Sequence, residues 1–208
     1  MNWSYRLGWI FFRALFATYL PCRYRNHQHV PASGPVILAA NHASFFDPPV
    51  IGAGLPRMVN YLARDTLFDI PIFASVLRSW KVVPVDRESG GAGLKAIFDR
   101  LLHGGMILLF PEGTRTADGT LGSAKPGVGL IIAKSTAPVV PVRVFGTFRA
   151  YGRHLTFPRP GRLSVVYGPP LDFAALRTQA RTCPKPRAKE VYQQIAEQLM
   201  AAIARLEP

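Results

Sequence analysis

At 208 residues, 49% of them hydrophobic, the chain is long enough for one domain with a substantial core and too apolar to be disordered. Its two cysteines, Cys22 and Cys183, offer neither a disulfide framework nor metal-ligand spacing, so a reducing compartment is expected. The formal net charge of +13 calls for an anionic partner: nucleic acid, an acidic membrane or a phosphorylated ligand.

No acidic residue precedes Asp47, whereas Arg6, Arg13, Arg23 and Arg25 do. Within the first twenty residues, Leu7–Phe12 and Ala14–Ala17 are apolar and flank Arg13. A bilayer-spanning helix needs about 20 mostly apolar residues, and Arg6 and Arg13 cut this run short. No small-residue cleavage site follows, so a signal peptide is not expected. Trp3, Tyr5 and Tyr19 are aromatic anchors of the interfacial kind. The segment therefore reads as an amphipathic, basic helix lying in a membrane surface, with a core helix as the alternative. The two readings can hold at once. Residues 1–30 are assigned to this membrane-associating segment and residues 31–208 to a single further domain.

Beyond a turn cluster at Pro31–Pro35, the run Val36–Ala40 predicts a buried strand that leads directly into Asn41-His42. Pro49–Leu55 suits a short helix, Met58–Ala63 a strand, Ile70–Trp80 a helix and Val82–Val85 a short strand. Leu94–Leu102 has helical spacing and stops at Gly104-Gly105. Met106–Phe110 is a further buried strand. A helix over Gly127–Ser135, strands over Val139–Phe145 and Leu163–Tyr167, and a helix over Val191–Leu206 complete the pattern. Arg149–Arg162, rich in Arg, Pro and Gly, is expected to be a mobile loop. Strands alternating with helices imply an α/β fold: a single domain with a mixed, mostly parallel sheet flanked by helices. In such sheets working residues gather at the strand ends.

Two segments stand at such ends. The first is Asn41-His42-Ala43-Ser44-Phe45-Phe46-Asp47-Pro48. A histidine steadied by a carboxylate is the equipment for taking a proton from a hydroxyl. Five steps along a helix would put His42 and Asp47 about 140° apart, so a turn has to bring them together. Pro48 favours that turn, because it disfavours helical geometry at Asp47. The second segment is Phe110-Pro111-Glu112-Gly113-Thr114-Arg115. Gly113 permits a tight backbone, Arg115 supplies a planar fork for phosphate oxygens, and Glu112 serves either to orient Arg115 or to bind a substrate hydroxyl. Arg87 ends another strand and offers a second fork. Lys125 precedes a helix start, a natural place for an anion.

Gly91-Ala92-Gly93-Leu94-Lys95-Ala96 matches a dinucleotide fingerprint, but five residues separate it from the preceding strand, which that motif does not allow. There is no GxSxG nucleophile elbow and no HExxH zinc helix. His27, His29, His103 and His154 are scattered and read as surface or loop residues, with contact to lipid headgroups the alternative for the first two.

Taken in order, these segments resemble the glycerolipid acyltransferase family, which includes the 1-acylglycerol-3-phosphate acyltransferases. Asn41-His42 through Asp47 resembles its NHxxxxD block, Lys81–Arg87 its second block, and Phe110–Arg115 its FPEGTR block, with Thr116 where Ser is common. Lys125 and Gly127 resemble its downstream Lys-x-Gly, and Val140-Pro141-Val142 with Gly146 its fourth block. The resemblance implies acyl transfer from a thioester to a lysophospholipid hydroxyl, with lysophosphatidate as the expected acceptor. His42 would be the general base and Asp47 its orienter. Arg87, Arg115 and Lys125 would bind the acceptor's phosphate on the Gly113-Thr114 turn, and Glu112 would help place the glycerol. The Val140–Gly146 block would border the acyl site. Acyl-CoA or acyl-carrier protein would be the co-substrate, with no metal or other cofactor, and an anionic membrane would be the partner rather than nucleic acid. The expected location is the cytosolic face of the cytoplasmic membrane. Another lysolipid acceptor, a basic nucleic-acid-binding module and a catalytically dead membrane scaffold are the alternatives.

Overall fold

The apolar runs of the sequence become the inner strands of one sheet, as parallel strands covered on both faces require. The computed structural model describes residues 2–85 and 91–208. In chain order its elements are α1 (Trp3–Thr18), β1 (Cys22–Arg25), β2 (Val36–Ala40), α2 (Asp47–Ala53), β3 (Val59–Asn60), β4 (Leu62–Arg64), α3 (Pro71–Ser79), β5 (Val83–Val85) and α4 (Gly91–Leu102). There follow β6 (Met106–Leu109), α5 (Pro126–Lys134), β7 (Val139–Phe145), α6 (Thr147–Tyr151), β8 (Leu163–Tyr167), α7 (Ala174–Thr182) and α8 (Lys185–Ala204). Six strands form a sheet in the order β1-β8-β7-β2-β6-β3, antiparallel only between β7 and β8. A separate parallel pair, β4 and β5, stands beside it.

Each face of the sheet carries its own core. Val36, Leu38 and Ala40 pack with Phe16 of α1 and with Val50 and Ile51 of α2. Ile37 and Ala39 face the other way, toward Ile97 of α4, Ile132 of α5, and Ile195 and Leu199 of α8. This is the strict alternation that a strand imposes. Helices α5 and α8 meet closely at Gly129, where a Cβ would lie 1.8 Å from the Tyr192 carbonyl oxygen.

Helix α1 is a packed helix of the domain that keeps one apolar face exposed. Asn2 caps it, accepting from the Tyr5 amide at 3.0 Å. Tyr5 and Phe16 are buried, the Trp9 indole donates to the Leu55 carbonyl, and Arg13 donates to the Ala53 carbonyl. The opposite face leaves Trp3, Leu7, Ile10 and Phe11 exposed. No helix among the described residues is long and apolar enough to cross a membrane.

The differences from the sequence reading lie where tertiary contacts decide. Residues 22–25, inside the segment assigned to membrane association, form the edge strand β1 on β8, with Cys22 opposite Leu163. His29 is tied to the Tyr167 carbonyl at 3.0 Å. Met58–Ala63 is not one strand: it divides at Tyr61, and β3 joins the main sheet while β4 joins β5. Helix α2 begins at Asp47 rather than Pro49, with prolines in its first turn, where a missing N–H costs nothing. The expected loop Arg149–Arg162 contains the end of α6, and α7 and the first two turns of α8 went unforeseen. Arg87 and the rest of 86–90 lie outside the described residues.

Candidate active site

Parallel pairing brings the two segments together. Ala39 of β2 lies opposite Leu109 of β6, so both strands end at the same edge, and His42 and Glu112 emerge side by side. On the other flank, Asn41 continues the ladder with its side chain. Its Nδ2 donates to the Val144 carbonyl at 3.2 Å, and its Oδ1 accepts from the Val144 amide at 2.8 Å.

His42 and Asp47 meet across the Phe45-Phe46 turn, although Pro48 does not keep Asp47 out of the helix, since Asp47 is the first residue of α2. His42 Nδ1 lies 2.8 Å from Asp47 Oδ2. The same oxygen accepts from the amides of Ala43 at 2.6 Å and Ser44 at 2.7 Å. Asp47 has no exposed surface and starts a helix, where an anion is favoured by the free amides. An oxygen that accepts from two amides faces Nδ1 as an acceptor too, so Nδ1 donates its proton to it and Nε2 keeps its lone pair. Phe110 stacks on the imidazole with centroids 3.8 Å apart and planes 13° from parallel, which fixes the ring against rotation.

Glu112 does something the sequence does not announce. Its Oε2 accepts from the His42 amide at 3.0 Å and its Oε1 from the Gly122 amide at 3.1 Å. The Thr116 amide returns a bond to the His42 carbonyl at 2.8 Å. Glu112 is therefore a buried clamp joining the two segments and the Gly122 loop. Burial raises its pKa, against the lowering effect of the two amides. Gly113 stands at φ +70°, a left-handed turn that favours glycine, and a Cβ there would lie 3.1 Å from Lys125 Cδ. Lys125 thus lies over the Gly113-Thr114 turn.

Arg115 is held differently. Its guanidinium sits over the Phe45 ring, 3.5 Å from the centroid. Its Nη1 is buried with no hydrogen-bond partner among the described residues. Burial, then nearby Arg153 and Arg64, hold its pKa below the usual value, with Asp47 opposing. A cavity of about 1140 Å³ opens at this edge, above the roughly 300–1,000 Å³ common for small-ligand sites. His42, Gly113, Thr114, Arg115 and Lys125 border it. Tyr5, Trp9, Phe12, Tyr61 and Trp80 line one apolar side; Leu94, Ile97, Val128 and Ile131 line another.

The Val140–Gly146 block is not at that cavity. Its residues 140–145 belong to β7, paired on both sides by β2 and β8, with Val140, Val142 and Val144 buried in the core, and Gly146 leads into α6. The cavity lies past the opposite flank of β2, so no residue of this block borders it. The residues that sequence reading passed over are Arg64 and Arg153, which border the cavity beside Arg115. Their only sequence signal was an arginine count.

A partly exposed histidine backed by a buried carboxylate at a strand edge, beside an apolar cavity with a cationic rim, defines the class: an enzyme acting on a molecule that is both apolar and anionic. The comparisons agree. Residues 21–145 match the family model described as Acyltransferase. A 1-acyl-sn-glycerol-3-phosphate acyltransferase of Bacillus subtilis is 31% identical over 161 residues, covering 75% of this chain and 78% of that one. A chloroplastic 1-acyl-sn-glycerol-3-phosphate acyltransferase of Arabidopsis thaliana is 34% identical over 58% of this chain, which spans only 35% of that longer protein. In fold the chain is similar to the crystal structure of the 1-acyl-sn-glycerophosphate acyltransferase PlsC of Thermotoga maritima, with a TM-score of 0.75 and 21% identity over 98% of this chain and 80% of that one. The chain belongs to the acyltransferase family and is an O-acyltransferase.

Proposed function

We propose that this enzyme transfers a fatty acyl group from a thioester, acyl-CoA or acyl-carrier protein, to the free hydroxyl of lysophosphatidate, forming phosphatidate. The observation that carries the reading is that His42, held from behind by the buried Asp47, stands on the rim shared by the apolar cavity and the Arg115–Lys125 cations. The names of the relatives point to the same acceptor.

In this mechanism His42 Nε2 takes the proton of the acceptor hydroxyl as its oxygen attacks the thioester carbonyl. Asp47 Oδ2, already fixed by two amides, holds the Nδ1 proton and stabilises the imidazolium that forms. The tetrahedral intermediate then collapses, the carbon–sulfur bond breaks, and the thiolate leaves with the proton from Nε2. A thioester is activated already, so no covalent enzyme intermediate is needed. Arg115 and Lys125 hold the acceptor phosphate, and Arg87 joins them by its resemblance to the family block. The cavity takes acyl chain. Glu112 acts through the backbone of His42 rather than on the glycerol. The exposed aromatic face of α1, with Arg6 and Arg13, seats the enzyme on the anionic cytosolic face of a membrane, where the acceptor resides.

The test is purified enzyme with labelled acyl-CoA or acyl-carrier protein and a panel of lysolipids. Acylation of lysophosphatidate, lost in His42→Ala, is the expected result. Activity confined to other lysolipids would overturn the acceptor, and silence with every lysolipid would overturn the reading.

A further inference from the structure

We infer that Arg64 and Arg153 complete, with Arg115, a three-guanidinium cradle that selects a phosphomonoester dianion as the acceptor's headgroup. The inference rests on the lysophosphatidate reading and adds two binding residues, and a selectivity, that no sequence block contains.

The three arginines come from separate parts of the chain. Arg64 ends β4, Arg115 follows the Gly113 turn, and Arg153 lies two residues beyond α6. All three border the one cavity, with His42 and Lys125. Arg153 reaches the turn directly, its Nη1 donating to the Arg115 carbonyl at 3.3 Å. Cations gathered this way repel one another unless an anion lies between them. None of these arginines, nor Lys125, makes an ion pair among the described residues, and no described residue bordering the cavity is a carboxylate. Asp47, whose charge opposes the lowering of the Arg115 pKa, has no exposed surface and gives Oδ2 to His42 and two amides; its Oδ1 is buried and makes no hydrogen bond to Arg115 or to any other described residue. The buried Arg115 Nη1 still lacks an acceptor among the described residues. The Phe45 ring beneath the guanidinium holds it in place without supplying one.

A phosphate group supplies what is missing: several acceptor oxygens and negative charge. Guanidinium forks match its geometry. Charge then distinguishes headgroups. A phosphomonoester carries about −1.5 to −2 near neutrality because its second pKa is about 6. A phosphodiester such as lysophosphatidylglycerol has a single charge and one oxygen fewer for hydrogen bonding. Three guanidiniums with a lysine at the rim suit the former. Phosphomonoester chemistry also occurs on coenzyme A, so the two sources must be separated by experiment.

The experiment is steady-state kinetics on wild type, Arg153→Ala, Arg153→Lys and Arg64→Ala, each checked for folding by its unfolding midpoint. KM and kcat are measured for lysophosphatidate and lysophosphatidylglycerol in the same micelles at saturating donor, and donor KM at saturating lysophosphatidate. Each alanine variant should raise the lysophosphatidate KM about tenfold or more, the scale of a lost charge-assisted hydrogen bond, with donor KM unchanged. Preference for lysophosphatidate over lysophosphatidylglycerol should shrink in step, and Arg153→Lys should fall between. Arg64→Ala and Arg153→Lys carry the test if Arg153→Ala does not fold. Unchanged lysophosphatidate KM, a fall in kcat alone, or a rise in donor KM instead would each overturn the cradle while leaving the proposed reaction standing. A wild type that prefers the phosphodiester acceptor would overturn both.

Discussion

The active edge treats its anions and its cations in opposite ways. Asp47 and Glu112 are buried, and each is tied to two backbone amides, so neither has freedom to move. Arg64, Arg115, Lys125 and Arg153 stand around the cavity without carboxylate partners among the described residues. The contrast teaches how one edge can be rigid and receptive at once. The carboxylates are spent on the protein's own backbone, which fixes His42 to the geometry a general base needs. The cations have no carboxylate partners among the described residues, which leaves the rim positive toward an incoming anion.

The most damaging way to break this arrangement is at its anionic half. His42→Ala should lower kcat/KM by about 10²- to 10⁴-fold, the range of general base catalysis, with the unfolding midpoint nearly unchanged. Asp47→Asn should approach the same loss, because its amide group cannot accept three hydrogen bonds at one oxygen as well; retention of more than half the wild-type rate would remove Asp47 from the mechanism. On the cationic half, Arg115→Ala should raise acceptor KM about 10- to 100-fold with little effect on stability, the reverse of what a buried clamp would show. Equal effects on donor and acceptor KM would make Arg115 structural.

Glu112 sharpens the contrast through pH. Its pKa in the folded protein is raised from 4.5, so the folded state holds this proton more tightly than the unfolded chain. Its contribution to stability is therefore fully present below about 4.5 and is lost as pH rises through the folded value. Glu112→Gln should flatten that descending limb in unfolding midpoints measured across mildly acidic pH, and should lower kcat several-fold by loosening the His42 amide. An unaltered pH profile would show that burial is not what sets this carboxylate. The effect confined to acceptor binding belongs to Phe45→Leu, which removes the ring under Arg115. A cation–π contact worth about 0.5–2 kcal/mol predicts a rise in acceptor KM of a few-fold to about thirtyfold, with kcat retained.

Much of the edge was legible beforehand because it is built from local runs. The five buried residues of β2 and the four of β6 each precede a polar segment, and parallel pairing of such strands puts their ends together. HxxxxD could be read as a pair because a proline-bounded turn spans the distance. The role of Glu112 was not legible, since a carboxylate followed by glycine and arginine looks equally ready for a ligand. Nor was β1, whose alternating Cys22-Arg23-Tyr24-Arg25 is too short and charged to declare itself without β8 beside it.

By itself the sequence determined the α/β class, the apolar runs that become β2 and β6, and the short segment that carries both His42 and Asp47, because each depends on neighbours within a few residues. The tertiary structure alone decided that Glu112 clamps the His42 backbone, that the Val140–Gly146 block lies away from the cavity, and that Arg64 and Arg153 border the same cavity as Arg115. Those relations join residues tens of positions apart. Nothing in the spacing of solitary arginines along a chain encodes which of them folding will bring to one rim.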